Sequence, residues 1–171
     1  MAKIEIHDDC LEPDRYIYLS YKGPDPWAVN KKLAGLLRLH FHVSTSSVCN
    51  QRINWDIVGE NISFYSVWWV KKRFTRNTRM RVEIKILGKK SKATNYGEFI
   101  MEINPWIQTE FSTWGFLLKP AWLIYSYLFY DRVRRKHIET CRNMIYTLRN
   151  KLKEHFNLTV TETTEAQGVY G

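Results

Sequence analysis

Apolar and charged residues alternate most clearly in the middle of the chain, between residues 79 and 86. Met80, Val82, Ile84 and Ile86 are separated by Arg79, Arg81, Glu83 and Lys85. A period of two residues predicts an antiparallel strand with one buried and one solvated face. Similar patterns predict strands over 15–21, 53–57, 62–74 and 97–103, and Pro105 is expected to break or bulge the last of them.

Two other stretches have the spacing of amphipathic helices. The first runs over about 26–42, where Asp25 can cap the helix and Pro26 suits the first helical position. In the second, apolar residues recur three or four apart, at Ile138, Cys141, Ile145, Leu148 and Leu152. The second pattern predicts a long C-terminal helix.

The order of these elements predicts an α+β fold. We expect an antiparallel sheet of about five to seven strands packed against the long C-terminal helix, with one helix inserted after the first strand. The 171 residues suit one domain, over 1–158, followed by a flexible C-terminal tail over 159–171.

This order, from the strand at 15–21 to the helix ending near Phe156, resembles the helix-grip arrangement of START-like (SRPBCC) domains. The stretch from Glu102 to Trp106 and on to Tyr130–Arg132 also resembles small uncharacterised archaeal proteins. The helix-grip resemblance implies no universal catalytic residues. It implies a carrier whose cavity between sheet and last helix holds an apolar small molecule, although the same residues could simply fill the interior. The expected lining residues are Phe64, Trp68, Met80, Val82, Phe99, Met101, Ile145 and Leu148.

The charge of the chain is concentrated in two segments. The net charge is +9, and residues 71–92 contain ten basic residues and one acid. Residues 131–153 contain eight basic residues and two acids. Such clusters suit the phosphates of nucleic acids, and exposed aromatic rings beside them can stack on unpaired bases. The alternatives are that these cations only solvate the outer face of a sheet, or that they contact acidic lipids or an acidic protein partner.

These observations favour a non-enzymatic protein that binds structured RNA or a ribonucleoprotein through a basic hairpin; the carrier is the second hypothesis. The candidate polyanion-binding residues are Lys71, Lys72, Arg73, Arg76, Arg79, Arg81, Lys89, Lys90, Lys92, Arg132, Arg134 and Arg135. Tyr65 and Trp69 are the candidate stacking residues. The three lysines at 89–92 are expected to extend the footprint of the hairpin.

Signals for catalysis, cofactors or metals are lacking in the sequence. Neither a nucleophile elbow nor a glycine-rich phosphate loop occurs. His40 and His42 are two residues apart on a predicted helix, so their side chains diverge and no metal site is expected. The acidic residues Asp8, Asp9, Glu12 and Asp14 precede the first predicted strand and are interpreted as solvated charge.

The cysteines and the N-terminal segment suggest a cytoplasmic location. Cys10, Cys49 and Cys141 are odd in number and widely spaced, which favours reduced thiols and makes Cys141 a small core residue. No apolar signal segment is found near Met1. The apolar stretch 114–130 is too short for a transmembrane helix and is interrupted by Lys119–Pro120, so it is interpreted as core, a ligand surface or an interfacial helix. The oligomeric state stays open.

Overall fold

The structure is a computed structural model that describes residues 2–57, 59–113, 124 and 130–160. It has an α+β fold, as predicted. The strands are β1 (Ala2–Asp9), β2 (Ile17–Pro24), β3 (Val48–Asp56), β4 (Asn61–Arg73), β5 (Thr78–Ser91), β6 (Tyr96–Thr113) and β7 (Thr159–Val160). The helices are α1 (Ala28–Phe41) and α2 (Asp131–Phe156), and a short 3-10 turn (Thr45–Ser47) precedes β3.

All seven strands form one antiparallel sheet. Its order is β3-β4-β5-β6-β2-β7, and β1 pairs with the half of β6 that β2 leaves free. β6 therefore has β5 along one side and β2 followed by β1 along the other. The helix α1 follows the strand predicted as the first, and β1 is a further strand ahead of it.

β6 passes through Pro105 without the predicted break. Pro105 lies opposite Val82 of β5, and its carbonyl oxygen points away from β5, toward the N–H of Cys10 at 3.5 Å. The proline nitrogen points to that same side, at the gap between the end of β1 and the start of β2. Because no ladder bond is lost there, the strand tolerates the proline.

One face of the sheet carries the hydrophobic core. On β5, Met80, Val82, Ile84 and Ile86 are at most 1% exposed. They pack with the apolar stripes of both helices in one buried cluster that includes Leu33, Leu37, Ile145 and Leu148. Both helices thus cover the same face, here called the inner face. No helix of the described ranges covers the opposite, outer face.

The interpretation of the N-terminal acidic residues as solvated charge holds for Glu12 and Asp14, which are exposed, but it is wrong for Asp8, which lies in a strand that was not predicted from the sequence. Residues 2–9 form β1, and the side chain of Asp8 on its inner face is only 4% exposed. Arg134 of α2 donates from Nε to both carboxylate oxygens of Asp8, at 2.9 and 2.8 Å, and also from Nη2. The alternation of Ile4 and Ile6 with polar residues is the sequence signal for this strand.

The expectation of three reduced thiols is also wrong. Cys10, just after β1, forms a disulfide with Cys141 of α2, and only Cys49 is free. The neighbouring Arg142 donates from its guanidinium to the carbonyl oxygens of Cys10 at 3.1 Å and Glu12 at 3.0 Å. Because disulfides are rare in reducing cytosol, the thiol argument for a cytoplasmic location no longer holds.

Several predicted boundaries shift. α1 begins at Ala28, with Trp27 and not Asp25 at the N-cap position. Asp25 has a positive φ of 42°, outside the extended conformation typical of a capping residue. Thr159 and Val160, which belong to the predicted tail, pair with β2. Residues 161–171 and most of the apolar stretch 114–130 lie outside the described residues. Neither helix in the described ranges has the apolar length needed to cross a membrane.

His40, predicted on the helix face, is buried between the two helices. It is 8% exposed, and its Nε2 lies 2.8 Å from the carbonyl oxygen of Met144, to which it donates. Burial lowers the pKa of His40 below its usual value, and the nearby positive charge of Lys151 acts in the same direction. The bond to Met144 partly opposes this shift.

Acidification from pH 7.5 to 5 is therefore expected to destabilise the fold. The folded state holds His40 and His137 with lowered pKa values, so the unfolded state binds more protons below about pH 6.5. Thermal unfolding monitored across this pH range should show a falling Tm, with a weaker pH dependence in His40→Gln. Identical pH profiles for His40→Gln and the wild type would contradict the prediction.

Candidate nucleic-acid interface

The predicted basic hairpin is formed by β4 and β5, which turn between residues 74 and 77. Its register places Lys71 opposite Arg81 and Arg73 opposite Arg79, all four on the outer face. Arg76 lies in the turn and is exposed. These five residues, here called the hairpin cluster, form a compact group of cations at one end of the sheet.

The hairpin cluster lacks acidic partners in the part of the chain that the structure describes. Arg73 bonds the carbonyl oxygens of its own turn, Thr75 at 3.1 Å and Arg76 at 3.4 Å. Like charges directly opposite each other in a sheet are destabilising. Glu83 of β5 and Glu110 of β6 lie on the same face, but neither forms a salt bridge with the cluster in the described structure, so the two pairs of cations leave a net positive group on this surface.

Two tryptophans adjoin the hairpin cluster on the outer face. The rings of Trp69 and Trp106 meet edge to face with centroids 5.7 Å apart, and Nζ of Lys71 lies 5.9 Å from the Trp69 ring. Trp106 is opposite Arg81 in the ladder between β5 and β6. Trp106 was missed in the sequence analysis, because the strand was expected to break at Pro105. A strand that continues through Pro105 places the side chain of Trp106 on the outer face.

Two buried N–H groups at this surface lack acceptors among the described residues. They are Nε1 of Trp69 and Nε of Arg81. Both atoms are shielded from solvent, so a ligand at this surface could accept a hydrogen bond from them only if the side chains moved.

Tyr65, the other candidate stacking residue, lies on the same face four residues from Trp69 along β4. It borders an open pocket of about 580 Å³ that Ile53, Trp55 and Leu87 also line. At about 3.3 Å per residue, roughly 13 Å separates Tyr65 from Trp69. Both rings are half-buried.

The structure places Lys72 apart from its neighbours in the basic run. Strand alternation turns it to the inner face, where Nζ donates to the carbonyl oxygen of Phe41 at 2.6 Å. This carbonyl is at the C-terminal end of α1, where a cation complements the helix dipole. Lys72 therefore stabilises the contact between α1 and the sheet and does not belong to the outer surface.

The expectation that Lys89, Lys90 and Lys92 extend the hairpin footprint is wrong. They lie at the other end of β5, where Lys89 is eight residues, or about 26 Å, from Arg81. Nζ of Lys89 pairs with Glu98 at 3.0 Å, and Nζ of Lys90 bonds Asn95 at 3.0 Å. Lys92 bonds the carbonyl oxygen of Gly59. These lysines are thus bound locally and distant from the cluster.

The basic residues of α2 lie on the helix side of the sheet. Arg134 is held by Asp8, Arg135 pairs with Asp131 at 2.8 Å, and Arg132 is exposed. The ring of Phe74 at the hairpin turn stacks on His137 of α2, with centroids 5.2 Å apart. The two basic clusters therefore share one end of the molecule but occupy opposite sides of the sheet.

The expected lining residues of an apolar cavity belong instead to the packed core. All eight are at most 8% exposed and are members of the single buried cluster. The pocket beside Tyr65 is elsewhere, at the edge of the sheet. Within the described ranges, no group of three or more His, Cys, Asp or Glu side chains could hold a metal ion.

Comparisons with known proteins supply no family for this chain. No family model matches it, and no curated protein matches it either. A solved structure of a delta-endotoxin aligns at 7% sequence identity with a TM-score of 0.33, covering 68% of this chain. The chain spans 64% of that protein's length. A likeness at this level carries no argument about fold or function.

Proposed function

We propose that this protein is a non-enzymatic binder of structured RNA, alone or in a ribonucleoprotein, and that the hairpin cluster is its binding surface. The observation that carries the proposal is the pairing of Lys71 with Arg81 and of Arg73 with Arg79, without acidic partners in the described structure. Such repulsion costs stability, and a bound polyanion would remove that cost.

The chemistry of these side chains fits a phosphate backbone. Arg76 and Arg79 are exposed and provide planar guanidinium groups that can donate two parallel hydrogen bonds to one phosphate. Arg73 and Arg81 add positive charge beside them, although Nε and Nη2 of Arg73 bond its own turn and Nε of Arg81 is buried. Each neutralised phosphate releases condensed counterions, which makes binding favourable and salt-dependent. The half-buried rings of Trp69 and Trp106 add apolar area beside the cations, and an unpaired base could stack on an exposed ring face.

The sheet with its C-terminal helix is compatible with a helix-grip domain, and this resemblance belongs to the proposal. An apolar-ligand carrier gains no support from the interior, because the residues that would line its cavity pack with one another. The proposal therefore uses the outside of the sheet. It assigns no catalytic residue and no cofactor.

The test is a titration of folded protein with mixed-sequence structured RNA at several salt concentrations. Five phosphate contacts predict a slope of log K against log salt of about −4 for wild type. In Arg76→Glu with Arg79→Glu, affinity should fall strongly and the slope should become shallower by about two.

Lys31→Glu with Lys32→Glu is the matched control. It makes the same change in charge at two exposed positions of α1, on the other side of the sheet. This variant should lose only the weak effect of net charge and keep the wild-type slope. Equal losses in both double variants, or a salt-independent affinity in wild type, would overturn the proposal.

A further inference from the structure

The strand β3 forms one edge of the sheet. It is the first strand in the sheet order and, among the described residues, pairs only with β4, so its other side presents backbone groups with no partner strand in the described ranges. From Gln51 to Ile57 every residue is exposed, including the large apolar side chains Ile53 at 48%, Trp55 at 41% and Ile57 at 61%. Natural proteins usually protect such an edge, because it is a template for pairing with another strand.

The regular part of this edge is short and well defined. The register of β3 with β4 shifts between Asn50 and Arg52, so a bulge interrupts the strand at Gln51. Residues 52–56 then pair without interruption until the strand ends at Asp56. The midpoint of this uninterrupted segment is Asn54.

We propose that β3 pairs antiparallel with β3 of a second copy of this chain, about a two-fold axis at Asn54. In this register Arg52 lies opposite Asp56 of the second copy, and Asp56 lies opposite Arg52. Ile53 lies opposite Trp55 of the second copy, and the symmetric pair repeats this contact. The segment is therefore complementary to itself in charge and in apolar side chains, as a two-fold interface requires.

The ring of Trp55 packs against Trp27, with centroids 4.3 Å apart, and against Phe64 at 5.9 Å, and it is still 41% exposed toward the edge. The two charged residues of the segment, Arg52 and Asp56, form no ion pair with any described residue, and both are exposed. They are four positions apart on one strand, about 13 Å, so they cannot pair with each other within one copy. Between copies, directly opposite residues have Cα atoms only about 5 Å apart.

This assembly extends the sheet of one copy into that of the other. A two-fold axis perpendicular to the sheet keeps both outer faces on the same side, so the two hairpin clusters face the same direction. The inference of a dimer is independent of the proposed RNA binding. A five-residue strand pairing buries a small area, so we expect a dissociation constant of about 10–100 µM.

Sedimentation equilibrium of wild type and charge variants tests the pairing. Arg52→Asp alone and Asp56→Arg alone place like charges opposite each other, so each should weaken the dimer about tenfold. The double variant Arg52→Asp with Asp56→Arg exchanges the two charges and should restore association to within about twofold. Lys31→Asp, a matched charge reversal on α1, should leave the dissociation constant unchanged.

A spin label at Asn54 tests the register independently. In Asn54→Cys with Cys49→Ser, paired labels should give a single narrow distance below about 20 Å by pulsed electron paramagnetic resonance. A longer or broad distance would overturn this register. The proposal would be overturned if wild type were monomeric at 1 mM, which is on the order of tenfold above the expected dissociation constant. It would also be overturned if neither single charge reversal weakened the dimer. An edge that binds an extended peptide but never a second copy would overturn it as well.

Discussion

Replacing Cys10 and Cys141 with serine should lower the free energy of unfolding by about 4 kcal/mol. The disulfide joins residues 131 positions apart, and chain-entropy estimates for so long a loop reach about 4–5 kcal/mol. Both sulfur atoms lie in the core at 0% exposure, and the bond fixes the segment after β1 against α2. Urea denaturation of oxidised wild type and the double variant measures the difference.

Two controls isolate the disulfide from other effects of mutation. Cys49→Ser changes an exposed thiol on β3 and should unfold like wild type. Dithiothreitol should destabilise wild type and Cys49→Ser but not the double serine variant. If reductant leaves wild-type stability unchanged, the disulfide does not contribute as predicted.

Replacing Ile84 with alanine should cost about 3 kcal/mol of unfolding free energy. Ile84 is fully buried on the inner face of β5, between Trp68 of β4 and Ile103 of β6 in the ladder. Removing three carbon atoms there loses burial energy and leaves a cavity that the rigid sheet cannot close. Chemical denaturation should show a lower midpoint with an unchanged m-value.

The same substitution at Ile100 provides the matched control. Ile100 lies on the outer face of β6 and is 53% exposed. Ile100→Ala should change stability by about 0.5 kcal/mol or less. Similar losses at positions 84 and 100 would show that the outer face is as closely packed as the inner one, contrary to the structure.

Local sequence patterns predicted most of this fold because its strands alternate strictly. The period of two at Met80–Ile86 assigned the inner face of β5 correctly, and the stripe from Ile138 to Leu152 identified α2. β1 was missed because its inner face holds a charged residue, Asp8, whose partner Arg134 is 126 positions away. No local pattern contains that partner.

The candidate site was only partly predictable for a related reason. Charge counts located the hairpin, but strand alternation and register decide which cations face the same way. The side chain of Lys72 lies on the inner face. Lys89 lies near the opposite end of β5 from the hairpin turn, because β5 is 14 residues long. Trp106 joined the site only because β6 continues through Pro105, which depends on the gap between β1 and β2.

The pairing of β1 with the second half of β6 has a consequence for folding during synthesis. The first strand leaves the ribosome about a hundred residues before its partner at 106–113, and its disulfide partner follows later still. Until then its apolar positions and backbone groups stay unpaired, while the β4–β5–β6 meander can already form. The N-terminal segment can therefore dock only after residues 106–113 have been synthesised, and its disulfide can close only after Cys141. Slow translation before that point would prolong the exposure of an unpaired strand.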